Sequence, residues 1–173
     1  MMNNQCDGRA LQHLALLGAW SCLGVSGAQA AEPFVMPDTV TIEALSQTLA
    51  QKAAGAAVDE CTRRGYKVAA AVVGRDGLLL AFLRNPLAGP HTIEVSQRKA
   101  YAASTFQVPT SSMASRPDLS FAPGVMLSVG GVPMNVAGKS YGGIAVSGAD
   151  PAVDEECAQA GVAAIAETLE FGQ

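Results

Sequence analysis

Apolar and small residues recur three or four positions apart between Thr41 and about Arg64, which is the spacing of one face of an α-helix. Thr41 is a candidate N-cap, and Gly65 is a candidate stop because glycine tolerates the left-handed backbone that follows many helices. The pattern predicts a first helix from Thr41 to about Arg64. Its apolar face holds Ile42, Leu45, Leu49, Ala53, Ala56, Ala57 and Cys61.

The pattern then changes to short apolar runs separated by a glycine-containing turn. Lys67–Val73 is rich in valine and alanine, and Leu78–Leu83 follows after Gly74-Arg75-Asp76-Gly77. Short β-prone runs joined by such a turn are typical of an antiparallel hairpin. We therefore predict two adjacent strands here.

A loop and a second helix come next. Arg84–Pro90 contains two prolines and a glycine, which disfavour regular structure. A helix is predicted from His91 to about Thr105, with Thr92 as its candidate N-cap. A short helical turn is predicted to start at Pro109.

The last part of the chain predicts more strands and a closing helix. Asp150 is a candidate N-cap, and Pro151 suits the first helical position of a helix that runs to about Phe171. The glycines in the apolar run that precedes this helix favour a central strand with close neighbours on both faces. The predicted strands are Val125–Val129, Val132–Val136 and Tyr141–Ser147.

These elements predict the fold class. Strands joined by tight turns are antiparallel, and helices gathered on the faces of such a sheet make an α+β domain. The sequence predicts a sheet of about five strands in the order α-β-β-α-α-β-β-β-α. No internal repeat or interdomain linker is seen, so residues 41–173 are expected to form a single domain.

The first thirty residues have the pattern of an export signal. Arg9 precedes the apolar run Leu14–Val25, and Ala28-Gln29-Ala30 matches an A-x-A cleavage site. We predict a cleaved signal peptide over residues 1–30, a mature tail over residues 31–40, and a periplasmic or secreted protein. A lipoprotein cysteine at Cys22 is disfavoured by Trp20, and the run is shorter than the roughly 20 residues of a membrane span.

Charge and hydropathy exclude two classes of partner. The chain has a formal net charge of −4 and no basic run. Nucleic acid is not an expected partner, because phosphate binding needs clustered lysine and arginine. No further segment is long and apolar enough to cross a membrane, so no span is expected in the mature form.

Export changes the interpretation of the cysteines. Cys6 and Cys22 leave with the signal peptide, so that Cys61 and Cys157 remain. In an oxidising compartment such a pair is a candidate disulfide. The alternative is two buried free thiols, and the sequence leaves both open.

The common catalytic motifs are missing from the sequence. Gly138-Lys139-Ser140 resembles the end of a phosphate-binding loop, but Pro133 stands where the first glycine belongs and a strand is predicted to follow. No H-E-x-x-H, C-x-x-C or dinucleotide-type glycine pattern is present. The sequence therefore favours a binding protein over an enzyme.

His91 is the strongest candidate for chemistry, because it is the only histidine outside the predicted signal peptide. The prolines before it restrain the imidazole, which can bind iron or titrate near neutral pH. Lys99, two helical turns further on, and Arg84 are candidate partners for acidic groups of a ligand. Tyr101 is another conceivable iron ligand. The alternatives are a surface or helix-end histidine, solvated cations, and a tyrosine that serves packing.

Three stretches of the chain resemble the GlcG/HbpS-like haem-binding family. They are the hairpin VAAAVVGRDGLLLAFLR, the loop and helix RNPLAGPHTIEVSQRKAYA, and the block from Gly130 to Ile165 that begins GGVPMNVAGKSYGGIAVSGADP. The resemblance covers about Thr41 to Glu170. It implies a profilin-like fold, homo-oligomers and, in some members, haem binding.

With this resemblance, we expect an exported haem-binding protein that acts as a carrier, scavenger or sensor. His91 is the expected iron ligand, and Lys99 and Arg84 are the expected partners of the haem propionates. One alternative is an accessory protein or enzyme acting on a small organic acid or redox metabolite. A third is a structural oligomer without chemistry.

Overall fold

The computed structural model describes residues 35–172. The chain divides into two units, residues 1–40 and 41–173, and every described helix and strand belongs to the second. The predicted signal peptide over residues 1–30 lies outside the described residues. Within residues 35–172, none of the helices combines the length and hydrophobicity that a bilayer crossing requires. The helices are α1 (Gln47–Arg63), α2 (His91–Phe106) and α3 (Pro151–Phe171), with short 3₁₀ turns at Thr110–Met113 and Pro117–Phe121.

An antiparallel sheet of four strands forms the centre of the fold. The strands β1 (Ala69–Val73), β2 (Leu79–Arg84), β3 (Gly131–Val136) and β4 (Lys139–Ser147) lie in the order β2-β1-β4-β3. Every residue of β1 is buried, because β2 and β4 flank it and helices cover both faces. The predicted hairpin of β1 and β2 is confirmed.

The two faces of the sheet carry different helices. Ala70 and Val72 belong to the core that α1 and α3 form on one face, whereas Ala71 and Val73 pack with Ala100 of α2 on the other. This alternation is the period-2 pattern of a strand that is buried on both faces. The result is an α+β domain in which α1 and α3 cover one side of the sheet and α2 covers the other.

Small residues let α2 approach the sheet closely. A Cβ atom on Gly143 of β4 would lie 2.4 Å from the carbonyl oxygen of Ala100 and 2.7 Å from the backbone nitrogen of Ser104. Only glycine fits at that distance, since no side-chain atom can share the space with helix backbone. The position of α2, and of His91 at its first residue, therefore depends on this strand.

The described part of the chain has a sheet of four strands, where the sequence predicted about five. Val125–Val129 is not a strand; Val125 is buried with Ala102 of α2 and Met113 of the first 3₁₀ turn. The apolar pattern of this segment arises because it packs on a helix, and no strand within residues 35–172 pairs with it. The sequence could not distinguish these two reasons for burial.

Two predicted helix starts are also corrected. Residue Ser46, and not Thr41, caps α1, and its hydroxyl accepts a hydrogen bond from the backbone N–H of Leu49 at 3.3 Å. Pro90 stands at the N-cap of α2, while Thr92 lies inside the helix and donates its hydroxyl to the carbonyl of Gly89 at 2.6 Å. In α3, Asp150 is at the predicted N-cap position but makes no capping hydrogen bond with its side chain.

A disulfide joins the first helix to the last. Cys61 of α1 and Cys157 of α3 are bonded, with 5.7 Å between their Cα atoms and 96 residues between them in sequence. Neither cysteine is exposed to solvent. The sequence left a disulfide and two free thiols both open, and the structure contains the disulfide.

Candidate functional site

The loop between β2 and α2 places His91, and Arg84 organises that loop. The guanidinium of Arg84 donates hydrogen bonds to the carbonyl of Ala88 at 2.7 Å and to that of Pro86 at 3.5 Å. Arg84 thus holds the loop in place through its backbone. The Nε atom of Arg84 is buried and has no hydrogen-bond partner in the described part of the chain.

The imidazole of His91 lies against Gly89. A Cβ atom on Gly89 would be 2.7 Å from Cε1 of the ring and 2.8 Å from Nδ1, but 3.8 Å from Nε2. The absence of a side chain at Gly89 therefore makes room for the ring, with Nε2 as the nitrogen farther from this backbone. His91 is exposed and makes no side-chain hydrogen bond or ion pair within residues 35–172. A ring in this state can accept a metal at a nitrogen.

A cavity of about 320 Å³ adjoins His91, and we call it the His91 cavity. It forms where the start of α2 meets the end of β4 and the start of α3. Its walls combine the imidazole, an ion pair, hydroxyl groups and a few apolar groups. Among its lining residues are His91, Val95, Lys99, Ser147, Ala149 and Asp154.

The wall of the His91 cavity contains a buried ion pair. The ammonium group of Lys99 lies 3.1 Å from Oδ2 of Asp154 and donates a second hydrogen bond to the carbonyl of Val146 at 3.1 Å. The other oxygen of Asp154 accepts the backbone N–H of Ala149 at 3.0 Å. Lys99 therefore reaches the cavity with its charge already paired, which differs from the solvated lysine that the pattern also allowed.

Burial changes the acidity of Asp154. Removal from water raises the pKa of this carboxyl above its usual range, and the charge of Lys99 opposes that rise without cancelling it. Asp154 was not predicted from the sequence to take part in the site. Its pairing with Lys99 was missed because the two residues are 55 positions apart, and no local spacing links them.

The four candidate residues do not share one site. His91 and Lys99 line the same cavity, and Arg84 lies at the base of the neighbouring loop. Tyr101 is about 15 Å from His91 along α2, given a rise of about 1.5 Å per residue. Its ring lies near Gly77 and lines a different recess together with Arg75.

The chemistry of the His91 cavity suits one nitrogen ligand to a metal. Within residues 35–172, no cluster of three or more His, Cys, Asp or Glu side chains is arranged to hold a metal ion. An iron bound here would need most of its ligands from a macrocycle, as haem provides. The exposed ring over Gly89 fits such a group, because it can contact the metal. The Nε of Arg84 is buried and Arg84 does not line the cavity, so this atom is not placed to donate to a group bound there.

Comparison with known proteins identifies the family. Residues 45–163 match the family described as haem-degrading protein, HbpS-like. The chain therefore belongs to the HbpS-like family, and the resemblance noted from its sequence is confirmed. No curated protein matches the chain significantly.

Solved structures agree with this assignment. A crystal structure of HbpS shares 36% identity with the chain at a TM-score of 0.69, covering 76% of this chain and 97% of that one. A crystal structure of a PduOC–haem complex shares 25% identity at a TM-score of 0.66, covering 71% and 96%. Protein ORFY of Klebsiella pneumoniae, at 23% identity and a TM-score of 0.69 over 76% and 97% of the two chains, supports the fold alone.

Proposed function

We propose that this protein is an exported haem-binding protein in which His91 is the iron ligand. The observation that carries the proposal is the His91 ring, which is exposed beside a cavity and bonded to no other described side chain. The likeness to HbpS and to a PduOC protein in complex with haem supports the choice of ligand. Bound haem would supply an iron able to take a small ligand or an electron.

The neighbouring residues have separate tasks in this proposal. His91 provides a nitrogen to the iron, and Arg84 holds the loop before His91 through the carbonyls of Pro86 and Ala88. The contact of Arg84 with a propionate stays a prediction from the sequence, because its unpaired Nε is buried. Lys99 already forms an ion pair with Asp154. A propionate that contacted Lys99 would therefore be a second anion beside the same ammonium group. Tyr101 lines another recess and has no part in haem binding in this proposal.

A haemin titration tests the ligand assignment. The full chain is titrated with haemin, and the Soret band is followed for the wild type, His91→Ala and Glu94→Gln. Glu94 lies one turn further along α2 and is exposed, so its variant controls for changes at the surface of that helix. We expect His91→Ala to shift the Soret maximum and weaken binding by at least about tenfold, and Glu94→Gln to match the wild type. An unchanged spectrum and affinity in His91→Ala would remove the assignment.

Location and assembly belong to the same proposal. The predicted signal peptide favours a periplasmic or secreted protein that carries, scavenges or senses haem. A homo-oligomer is supported by β2, an edge strand whose Leu79 and Leu83 are 47% and 44% exposed. Large apolar side chains along an unpaired edge are typical of a surface that another chain covers.

A further inference from the structure

A second cavity lies at the end of the sheet opposite to His91. It has a volume of about 480 Å³ and is lined by the β1–β2 turn, the start of β4 and the segment before α1. Small-molecule sites typically measure roughly 300–1,000 Å³. Ser140 of this cavity and Ser147 of the His91 cavity stand at the two ends of β4, about 23 Å apart at the rise of a strand. The two cavities are therefore separate sites.

One positive charge in this second cavity, the Arg75 cavity, has no acidic partner among the described residues. The carboxylate of Glu43 pairs with Lys139 at 2.8 Å, and that of Asp76 accepts the backbone N–H of Leu78 at 3.0 Å. Arg75 forms no ion pair within residues 35–172. Of the two cations that line the described cavity, Arg75 is therefore the one whose charge remains for a ligand.

A chain of side chains orients Arg75 toward β4. One of its terminal nitrogens lies 3.5 Å from the hydroxyl oxygen of Ser140, and Ser140 donates to Oε1 of Gln107 at 2.5 Å. Gln107 ends α2 in a left-handed conformation, with φ of 58°, and its amide also bonds the carbonyl of Ser104. Such a backbone is unfavourable for a residue with a side chain, and conformations of this kind concentrate at functional sites.

One side of the Arg75 cavity is apolar, beside the polar and charged groups already described. Ile42 lines it with 73% of its surface exposed, and Ala44 and Leu80 complete this side. An exposed isoleucine beside an unpaired guanidinium offers an apolar contact and a charged contact at one place. These two contacts suit a ligand that has an apolar part and a negatively charged group.

We propose that the Arg75 cavity binds a small amphipathic monocarboxylate. The guanidinium of Arg75 holds the carboxylate through paired N–H donors, which is the geometry that arginine offers to a planar anion. The apolar part of the ligand covers Ile42 and Leu80. A single negative charge suits the site, because Glu43 and Asp76 would oppose a phosphate dianion. The proposal is independent of haem binding at His91.

Calorimetry with a graded series of ligands tests the proposal. The full chain is titrated with acetate, butyrate, hexanoate and octanoate, with hexanol as the uncharged match and inorganic phosphate as the alternative anion. We expect saturable binding at one site per chain for hexanoate, with each CH₂ group tightening Kd by up to about fourfold. Hexanol and phosphate are expected not to bind at the same concentrations.

Three variants connect the binding to Arg75. Arg75→Gln is expected to weaken hexanoate binding at least tenfold, Arg75→Lys to keep part of it, and His91→Ala to leave it unchanged. Arg75 is exposed, so an unchanged circular dichroism spectrum and Tm would show that the fold is intact. Equal binding by Arg75→Gln, equal binding of hexanol, phosphate binding without dependence on chain length, or no binding in the whole series would each overturn the proposal.

Discussion

The ammonium group of Lys99 lies inside the protein, with only 2% of the residue exposed. Burial of a charge is costly unless it is paired, and the pairing with Asp154 and the Val146 carbonyl meets that requirement. The pair also connects α2 to α3 beside the His91 cavity. The contact therefore links two helices that pack on opposite faces of the sheet.

The Lys99 pair gives a prediction at the scale of one residue. Lys99→Met should lower the free energy of unfolding by about 3–5 kcal/mol, because it leaves the Asp154 carboxylate buried without its cation. The measurement is urea denaturation followed by circular dichroism. Lys99→Met/Asp154→Leu should recover much of the loss, since the double variant removes both charges together. A single variant as stable as the wild type would contradict this account.

The residue scale also shows what local sequence can and cannot predict about the site. The prolines of the loop and the helical pattern after them were enough to place His91 at the start of α2. The environment of Lys99 was not predictable, since Asp154 comes from α3 and the Val146 carbonyl from β4. The same holds for Arg75, whose partner Ser140 is 65 positions away.

At the scale of elements, the pattern of apolar residues predicted which segments are buried better than it predicted whether each one forms a strand. The runs that became β3 and β4 were identified because their apolar residues lie between turn-forming glycines. Val125–Val129 has the same kind of run but packs on α2 and the first 3₁₀ turn. The difference lies in tertiary neighbours, which no window of a few residues contains.

The contact between α2 and β4 gives a prediction for these elements. Gly143→Ala should lower the free energy of unfolding by about 1–3 kcal/mol, since the new methyl group would meet the backbone of α2 at Ala100 and Ser104. Gly55→Ala is the matched control; it lies in α1, and a Cβ there would meet nothing within 4 Å. The control should gain up to about 1 kcal/mol from its better helix propensity.

Urea denaturation of both glycine variants checks this prediction. The two substitutions add the same methyl group. If the free energy of unfolding falls in one variant and rises in the other, the difference reports the space around that group. If Gly143→Ala proved as stable as the wild type, α2 and β4 would have to be farther apart than the structure has them. A loss of stability in Gly55→Ala would instead indicate that the face of α1 around Gly55 is covered in solution.

At the scale of the whole molecule, the sheet separates two cavities that differ in chemistry. The His91 cavity joins an imidazole to a buried ion pair, and the Arg75 cavity joins a guanidinium to an apolar wall. Antiparallel strands bring distant turns to the same end of the sheet, which is why residues such as Arg75 and Ser140 meet. The topology thus determines which residues each cavity collects.

The Cys61–Cys157 disulfide gives the prediction at this scale, because it joins the first and last helices across a separation of 96 residues. Closing a loop of that length removes conformational freedom from the unfolded chain, with an expected stabilisation of about 2–5 kcal/mol. Reduction of the wild type should therefore move its urea midpoint to lower concentration. Cys61→Ala/Cys157→Ala, which has no bond to reduce, should unfold at one midpoint with or without reductant. Coincident curves for the oxidised and reduced wild type would show that this link contributes nothing to the stability of the fold.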